Sequence, residues 1–168
     1  MKTVVSIFAL LIAVAQSASP LVRPAPDIAF AGVGGVKSLR SLRGQPVVVL
    51  VAKSPRDRAF RKQVKAIEDT YRELASRSTV FIAAFSESGD GVASNVPFVI
   101  ASNGPAVAAA YGLVGDLALG IVGPDGNLDL ATGEVTRGLR IREIILNNYA
   151  VQNAVRREQP KGPPANSN

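Results

Sequence analysis

The stretch that decides the fold runs from residue 47 to residue 60 and reads VVVLVAKSPRDRAF. Residues 47–52 are uninterrupted apolar and mostly β-branched, which is typical of a strand buried on both faces of a sheet. Ser54, Pro55 and Asp57 then suit the N-cap, N1 and N3 positions of a helix. The stretch therefore predicts a central strand that leads directly into a helix.

The helix that follows is predicted to continue to about Arg77. Five apolar residues recur at spacings of four, three, four and three, which places them on one helical face. These residues are Phe60, Val64, Ile67, Tyr71 and Leu74. We expect this face to pack against the central strand.

The other apolar segments predict further strands and helices in alternation. They indicate a small hairpin at 28–39, strands at 79–85 and 96–101, a short helix at 105–111, a hairpin at 117–130 and a final helix at 139–157. Such an order predicts the α/β class, as a three-layer α/β/α sandwich with a central mixed sheet.

The N-terminus has the pattern of a secretory signal peptide. Lys2 is followed by an apolar run at residues 4–15, and small residues near Ala15 suit cleavage. The run is shorter than the roughly 20 apolar residues that a bilayer span needs. We therefore assign residues 1–18 to a signal peptide and expect a periplasmic or secreted protein whose mature chain has no membrane span.

Proline-rich segments flank the predicted domain on both sides. Residues 19–27 contain three prolines and form a leader that can join neither a helix nor an inner strand. Residues 158–168 are polar, contain three prolines and are predicted to be disordered. The domain itself is therefore expected at residues 28–157.

The composition excludes several classes of enzyme. The chain contains no cysteine and no histidine. It therefore lacks a thiol nucleophile, the usual imidazole metal ligand and the base of a Ser-His-Asp triad. We expect no catalytic residue, no metal site and no cofactor.

The charge is basic but does not indicate nucleic-acid binding. The formal net charge is +6, and it falls to +5 once Lys2 leaves with the signal peptide. Aromatic residues make up only 5% of the chain, so few side chains are available to stack on bases, and no recognition motif is present. We expect protein or peptide partners, acidic ones in particular.

Three segments resemble those of a known family. They are LRSLRGQPVVV at 39–49, YGLVG at 111–115 and IVGPDG at 121–126. In order and spacing they are similar to segments of the thioredoxin-like superfamily, in its branch of peroxiredoxins and exported thiol-disulfide reductases. The resemblance covers residues 27–146 and implies a thioredoxin-like fold.

The resemblance also shows which functional residues are missing. Redox-active relatives carry cysteines at the start of the long helix, and these positions correspond to Asp57 and Phe60. They also carry a cis-proline before the hairpin strand, where Leu117 stands. Pro97 precedes a different strand and is expected to be an ordinary proline at a strand start.

Basic residues crowd the predicted helix start. The residues that could form a binding face there are Lys53, Ser54, Arg56, Asp57, Arg58 and Arg61. One interpretation is a pocket for an acidic peptide, a phosphate or a carboxylate, since helix N-termini attract anions. The alternative is a solvated basic face that Asp57 partly neutralises.

Acidic and amide residues alternate at Asp125, Asn127 and Asp129, as they do in calcium-binding loops. Leu130 and Thr136 stand where such a loop needs glycine and glutamate, so a hairpin turn is the favoured interpretation.

These observations lead to one main functional hypothesis and two rivals. The main one is a redox-inactive, exported thioredoxin-like domain that binds a protein or peptide. The first rival is a family member that still acts in an antioxidant or thiol-exchange pathway. The second is a purely structural or host-directed secreted protein.

Overall fold

A computed structural model of the chain describes residues 23–87 and 91–158. The strands are β1 (Ala29–Gly32), β2 (Gly35–Ser38), β3 (Val47–Ala52), β4 (Val80–Phe85), β5 (Phe98–Ile100), β6 (Ala118–Val122) and β7 (Leu128–Thr132). The helices are α1 (Arg58–Glu68), α2 (Tyr71–Ala75), α3 (Gly104–Ala110) and α4 (Gly138–Glu158), and a short 3-10 helix spans Leu39–Leu42. The predicted signal peptide and all but the first residue of the predicted disordered tail lie outside the described residues.

A mixed five-stranded sheet forms the centre of the domain. Its order is β5-β4-β3-β6-β7, with β3 parallel to β4, β4 parallel to β5, and the other two pairings antiparallel. All six residues of β3 are buried. The prediction of a central strand at residues 47–52 is confirmed.

The two faces of β3 belong to two separate apolar cores. Val48 and Leu50 lie in the core that α1, α2 and α4 cover, together with inward residues of β4 and β6. Val47 and Val49 lie in the opposite core, which α3, the β1–β2 hairpin and the 3-10 helix cover. The predicted three-layer α/β/α architecture with a mixed sheet is therefore confirmed.

Two glycines allow the helices to approach their neighbours closely. A methyl group at Gly104, the first residue of α3, would lie 1.7 Å from the carbonyl oxygen of Phe85. A methyl group at Gly138, the first residue of α4, would lie 2.2 Å from the carbonyl oxygen of Ala66. Any side chain at these positions would push the helix away from the layer beneath it.

The long helix differs from its prediction at both ends. It begins at Arg58 and not at Pro55, and it divides into α1 and α2 before it reaches Arg77. The division lies at Thr70, whose buried hydroxyl donates to the carbonyl oxygen of Ile67 at 3.3 Å. Such a local bond offers the backbone an alternative to continuing the helix.

The predicted apolar face survives this division. Phe60, Val64, Ile67 and Leu74 are buried, and Tyr71 is half-buried against the same core. The break therefore changes the course of the backbone without exposing the face that packs on the sheet.

The described leader residues pack onto the domain ahead of its predicted start at Ile28. The amide of Ala25 donates to the carbonyl oxygen of Gly126 at 3.0 Å, and the hydroxyl of Tyr111 donates to that of Pro26 at 3.1 Å. Burial, reinforced by the negative charge of Asp27, raises the pKa of Tyr111 above its usual range, so the phenol remains a donor. The leader is thus fastened across the β6–β7 turn.

No helix in residues 23–87 and 91–158 has the length and apolar character needed to cross a bilayer.

A buried glutamine joins α1 to the segment that precedes α4. Gln63 is 0% exposed and lies on the inner face of α1. Its side-chain amide donates to the carbonyl oxygen of Thr136 at 2.9 Å, and its carbonyl oxygen accepts from the amide of Thr136 at 2.6 Å. One side chain thus satisfies both backbone groups of Thr136, which fixes where α4 begins.

Replacing Gln63 by methionine keeps the volume and removes both hydrogen bonds. We expect Gln63→Met to lower the free energy of unfolding by about 2 kcal/mol, because the backbone groups of Thr136 lose their partners. Urea denaturation followed by circular dichroism measures the change. Lys62→Met, on the exposed side of the same helix, should change stability by no more than about 0.5 kcal/mol. Equal effects of the two substitutions would contradict the assignment.

Candidate binding surface

The loop between β3 and α1 lies where the parallel strands β3 and β4 end. The amide of Ser86 donates to the carbonyl oxygen of Ala52, and the amide of Glu87 donates to the carbonyl oxygen of Lys53, both at 3.0 Å. These bonds hold the ends of the two strands together beneath the loop. The loop therefore starts from a fixed base.

Asp57 organises this loop, although not in the way that the sequence predicts. Its carboxylate oxygen Oδ2 accepts from the amides of Lys53 at 3.2 Å and Ser54 at 3.1 Å. Asp57 occupies the N-cap position of α1 but makes no side-chain capping bond to the helix. The predicted roles of Ser54 as N-cap and Asp57 as N3 are therefore wrong, because the carboxylate turns back toward the strand.

Ser54 completes the turn. Its hydroxyl oxygen accepts from the amide of Arg56 at 3.2 Å, and its carbonyl oxygen accepts from that of Asp57, also at 3.2 Å. Polar side chains thus satisfy the backbone donors of the turn locally. The basic residues on either side stand on an ordered turn.

Five cationic side chains stand around the start of α1, and we call them the basic surface. They are Lys53, Arg56, Arg58, Arg61 and Lys62, and all five are exposed. None forms an ion pair with any residue in the described part of the chain. One turn further on, Lys65 pairs with Glu68 at 3.8 Å and with Asp69 at 3.4 Å. Among the described residues, the cation further along α1 is therefore paired with carboxylates, whereas those at the start of the helix are not.

The charge of the basic surface opposes the field of the helix. The first turn of α1 contains no acidic residue, and the carboxylate of Asp57 is engaged by backbone amides. Cations at a helix N-terminus are disfavoured by about 0.3–1 kcal/mol each when exposed. An anion bound at this end would interact favourably with both the side chains and the helix dipole.

The residues that correspond to the family's redox positions are divided between the loop and the core. Phe60 is 1% exposed and Leu117 2% exposed, and both belong to the core under α1. The ring of Phe60 lies 5.1 Å from that of Phe85 in an edge-to-face arrangement. Asp57 alone of the three lies in the loop, where its carboxylate accepts hydrogen bonds from backbone amides.

Pro97 and the peptide bonds agree with this picture. Pro97 is exposed and directly precedes β5, as expected for a strand-start proline. All peptide bonds among the described residues are trans. The structure thus gathers the predicted cationic residues on one surface and assigns Phe60 and Leu117 to packing.

The alternating residues after β6 form the predicted hairpin turn. Asp125 accepts from the backbone amide of Asn127 at 3.0 Å and from its side-chain amide at 2.8 Å. The carboxylate of Asp129 accepts from the side-chain amide of Asn148 on α4. Burial and the nearby charge of Asp125 raise the pKa of Asp129 to about 6, while the hydrogen bond from Asn148 opposes the shift.

Comparison with known sequences gives no assignment. No protein-family model matches the chain, and no curated protein matches it in sequence.

Comparison with solved structures identifies the fold. A thioredoxin-family thiol:disulfide interchange protein from Chlorobium tepidum superposes with a TM-score of 0.58 at 17% identity, over 78% of this chain and 99% of that one. The bacterioferritin comigratory protein of Xanthomonas campestris, described by its alkyl peroxide reduction activity, gives 0.57 at 12% identity, over 74% and 91%.

A third structure agrees with these two. The thioredoxin domain of a thiol-disulfide oxidoreductase from Bacteroides vulgatus gives a TM-score of 0.55 at 18% identity, over 79% of this chain and 95% of that one. The chain therefore has a thioredoxin-like fold, which confirms the predicted resemblance at the level of structure.

The raised pKa of Asp129 makes stability depend on pH. The folded protein binds this proton more tightly than the unfolded chain, so protonation stabilises the fold. That contribution is complete below about pH 4 and is lost as the pH rises through about 6. Asp129→Asn stays neutral, and solvent screening limits its advantage at pH 7 to about 1 kcal/mol.

Urea denaturation at pH 7 and at pH 4 measures the difference between Asp129→Asn and the unsubstituted protein. We expect the variant to be more stable at pH 7 and to lose that advantage at pH 4. Asp116→Asn, which removes the same charge from an exposed loop, is the control. An equal gain in both variants would mean that net charge, and not the local environment of Asp129, is responsible.

Proposed function

We propose that this chain is a redox-inactive, exported thioredoxin-like domain that binds an acidic segment of another protein through the basic surface. The observation that carries the proposal is the group of exposed cations at the start of α1, which have no acidic partner among the described residues. Lys65, the one other basic residue of α1, shows what the basic surface lacks, since it has two carboxylates within 4 Å.

Redox inactivity follows from the absence of sulfur nucleophiles. Thiol exchange and thiol-dependent peroxide reduction both need a thiolate that attacks a disulfide or a peroxide. The chain has no cysteine, and the corresponding positions hold Asp57 and Phe60. The rival function in an antioxidant or thiol-exchange pathway would therefore have to be non-catalytic. Turnover of peroxide or of a disulfide substrate by the purified protein would refute this part of the proposal.

An acidic peptide segment suits the basic surface better than a single small anion does. The five cations are spread over residues 53–62, in the loop and the first turns of α1, so a segment with several acidic residues can pair with more of them than one small anion can. Opposite charges distributed in this way accelerate association and set specificity. The turn is already ordered by Asp57 and Ser54, which reduces the entropy that binding must offset.

Export is supported by the N-terminal sequence. A cationic residue, an apolar run at 4–15 and small residues near Ala15 form the pattern of a signal peptide. A protein without cysteine needs no disulfide to fold after export. The N-terminal residue of the protein recovered from the periplasm or the medium tests this step, and a chain that retains Met1 would contradict it.

A labelled peptide tests the binding surface directly. The probe is a synthetic peptide in which aspartate and glutamate alternate with apolar residues, and fluorescence anisotropy gives its Kd. We expect the triple variant Arg56→Ala, Arg58→Ala and Arg61→Ala to bind about tenfold more weakly, because it removes three exposed charges from the surface. The affinity of the unsubstituted protein should also fall as salt is raised.

The control removes three exposed charges elsewhere, by Lys37→Ala, Arg72→Ala and Arg137→Ala. This variant has the same net charge as the triple variant of the basic surface. We expect it to bind the peptide nearly as tightly as the unsubstituted protein does. Equal weakening in both variants would attribute binding to net charge alone and would overturn the assignment of the surface.

A further inference from the structure

A cavity of about 470 Å³ lies at the end of the sheet opposite the basic surface. Three separate segments of the chain border it: the leader at 23–27, the 3-10 helix with the loop that follows it, and the β6–β7 turn. The cavity lies beside Val47, at the start of β3, whereas the basic surface follows the end of this strand. Six residues of β3 separate the two sites by about 17 Å.

The lining residues of this cavity that are buried in the fold are apolar. Leu39, Val47 and Val122 are buried beneath it, and Leu42 lies half-buried at its side. The volume is within the range of small-molecule sites, which are commonly apolar with a few polar groups that orient the ligand. The apolar lining suits a hydrocarbon group.

Among the described residues, the polar groups of the cavity leave one positive charge uncompensated. Asp27 pairs with Arg40 at 3.4 Å and also accepts from the amide of Ile28 at 3.0 Å. Arg43 and Gln45 also line the cavity, and the side chain of neither has a hydrogen-bonding or ion-pair partner among the described residues. A guanidinium and an amide are therefore available to a ligand next to an apolar lining.

Backbone hydrogen bonds hold the three segments together before any ligand binds. The amide of Gly44 donates to the carbonyl oxygen of Pro124 at 2.8 Å, which fastens the loop to the β6–β7 turn. The amide of Ala25 donates to the carbonyl oxygen of Gly126 at 3.0 Å, which fastens the leader to the same turn. The cavity is thus preformed, and binding does not have to order its lining.

We propose that this cavity binds a small organic monocarboxylate with an apolar body. The carboxylate accepts from Arg43, whose fork of donors matches two carboxylate oxygens, and Gln45 donates beside it. One uncompensated arginine suits a single negative charge, and the apolar lining buries the hydrocarbon portion. This site is separate from the basic surface, and the proposal does not depend on the function proposed there.

Hexanoate is the probe, and two related compounds test its charge and its hydrocarbon chain separately. 1-Hexanol keeps the hydrocarbon chain without the charge, and acetate keeps the charge without the chain. We expect hexanoate to shift backbone amide signals of residues 39–45 and 122–126 in two-dimensional NMR titrations of the purified protein. Both relatives should bind more weakly than hexanoate. The absence of shifts at these residues, or equal binding of either relative, would overturn the proposal.

Two variants test whether Arg43 supplies the positive charge that binds the carboxylate. Arg43→Gln should weaken hexanoate binding about tenfold, the loss expected when one charge-assisted hydrogen-bonding partner is removed. Arg58→Gln removes the same charge from the basic surface and should leave hexanoate binding unchanged. Arg43 is exposed and makes no ion pair with a described residue, so its variant should keep the Tm of the unsubstituted protein.

Two outcomes of these variants would contradict the assignment. Unchanged binding in Arg43→Gln would exclude the guanidinium as the partner of the carboxylate. Equal weakening in Arg58→Gln would move the anion to the basic surface. A failure of peptide binding at the basic surface would leave all of these readouts unaffected, so the two proposals can fail separately.

Discussion

The burial of β3 on both faces is the constraint on which the rest of the structure depends. Four valines, a leucine and an alanine leave this strand no polar face, so both sides must be covered. Its backbone is paired in parallel with β4 and antiparallel with β6, and each face joins a different core. The positions of α1, α2 and α4 on one side and of α3 with the β1–β2 hairpin on the other follow from that requirement.

Most of this arrangement could be predicted from the sequence, because apolar periodicity reports directly on burial. The stripe from Phe60 to Leu74, the buried run of β4 and the β6–β7 hairpin all follow from local patterns. The helix boundaries could not be predicted in the same way. The start of α1 depends on which amides Asp57 accepts from, and its end depends on a hydroxyl of Thr70 that is buried only in the folded chain. Both are side-chain hydrogen bonds to the nearby backbone, and apolar periodicity carries no information about them.

The same distinction applies to the two candidate sites. The cations of the basic surface lie within ten consecutive residues, so the sequence alone brings them together. The structure was needed to show that they have no acidic partner among the described residues, since a carboxylate from any other segment could have reached them. The cavity beside Val47 had no sequence signal, because Arg43 and Val122 become neighbours only through the pairing of β3 with β6. Sites assembled from distant segments leave no local pattern to recognise.

The antiparallel pairing of β3 with β6 also has a consequence for folding kinetics. Residues 47–51 find their second partner only in residues 118–122, so the sheet cannot close until most of the chain is available. Non-local pairing of this kind slows folding, because the entropy of closing a long loop must be overcome first. During that interval the strongest β-forming segment of the protein has one open edge, which makes the unfinished domain prone to self-association. The stretch that determines the native architecture is therefore also the stretch that most needs protection before that architecture exists.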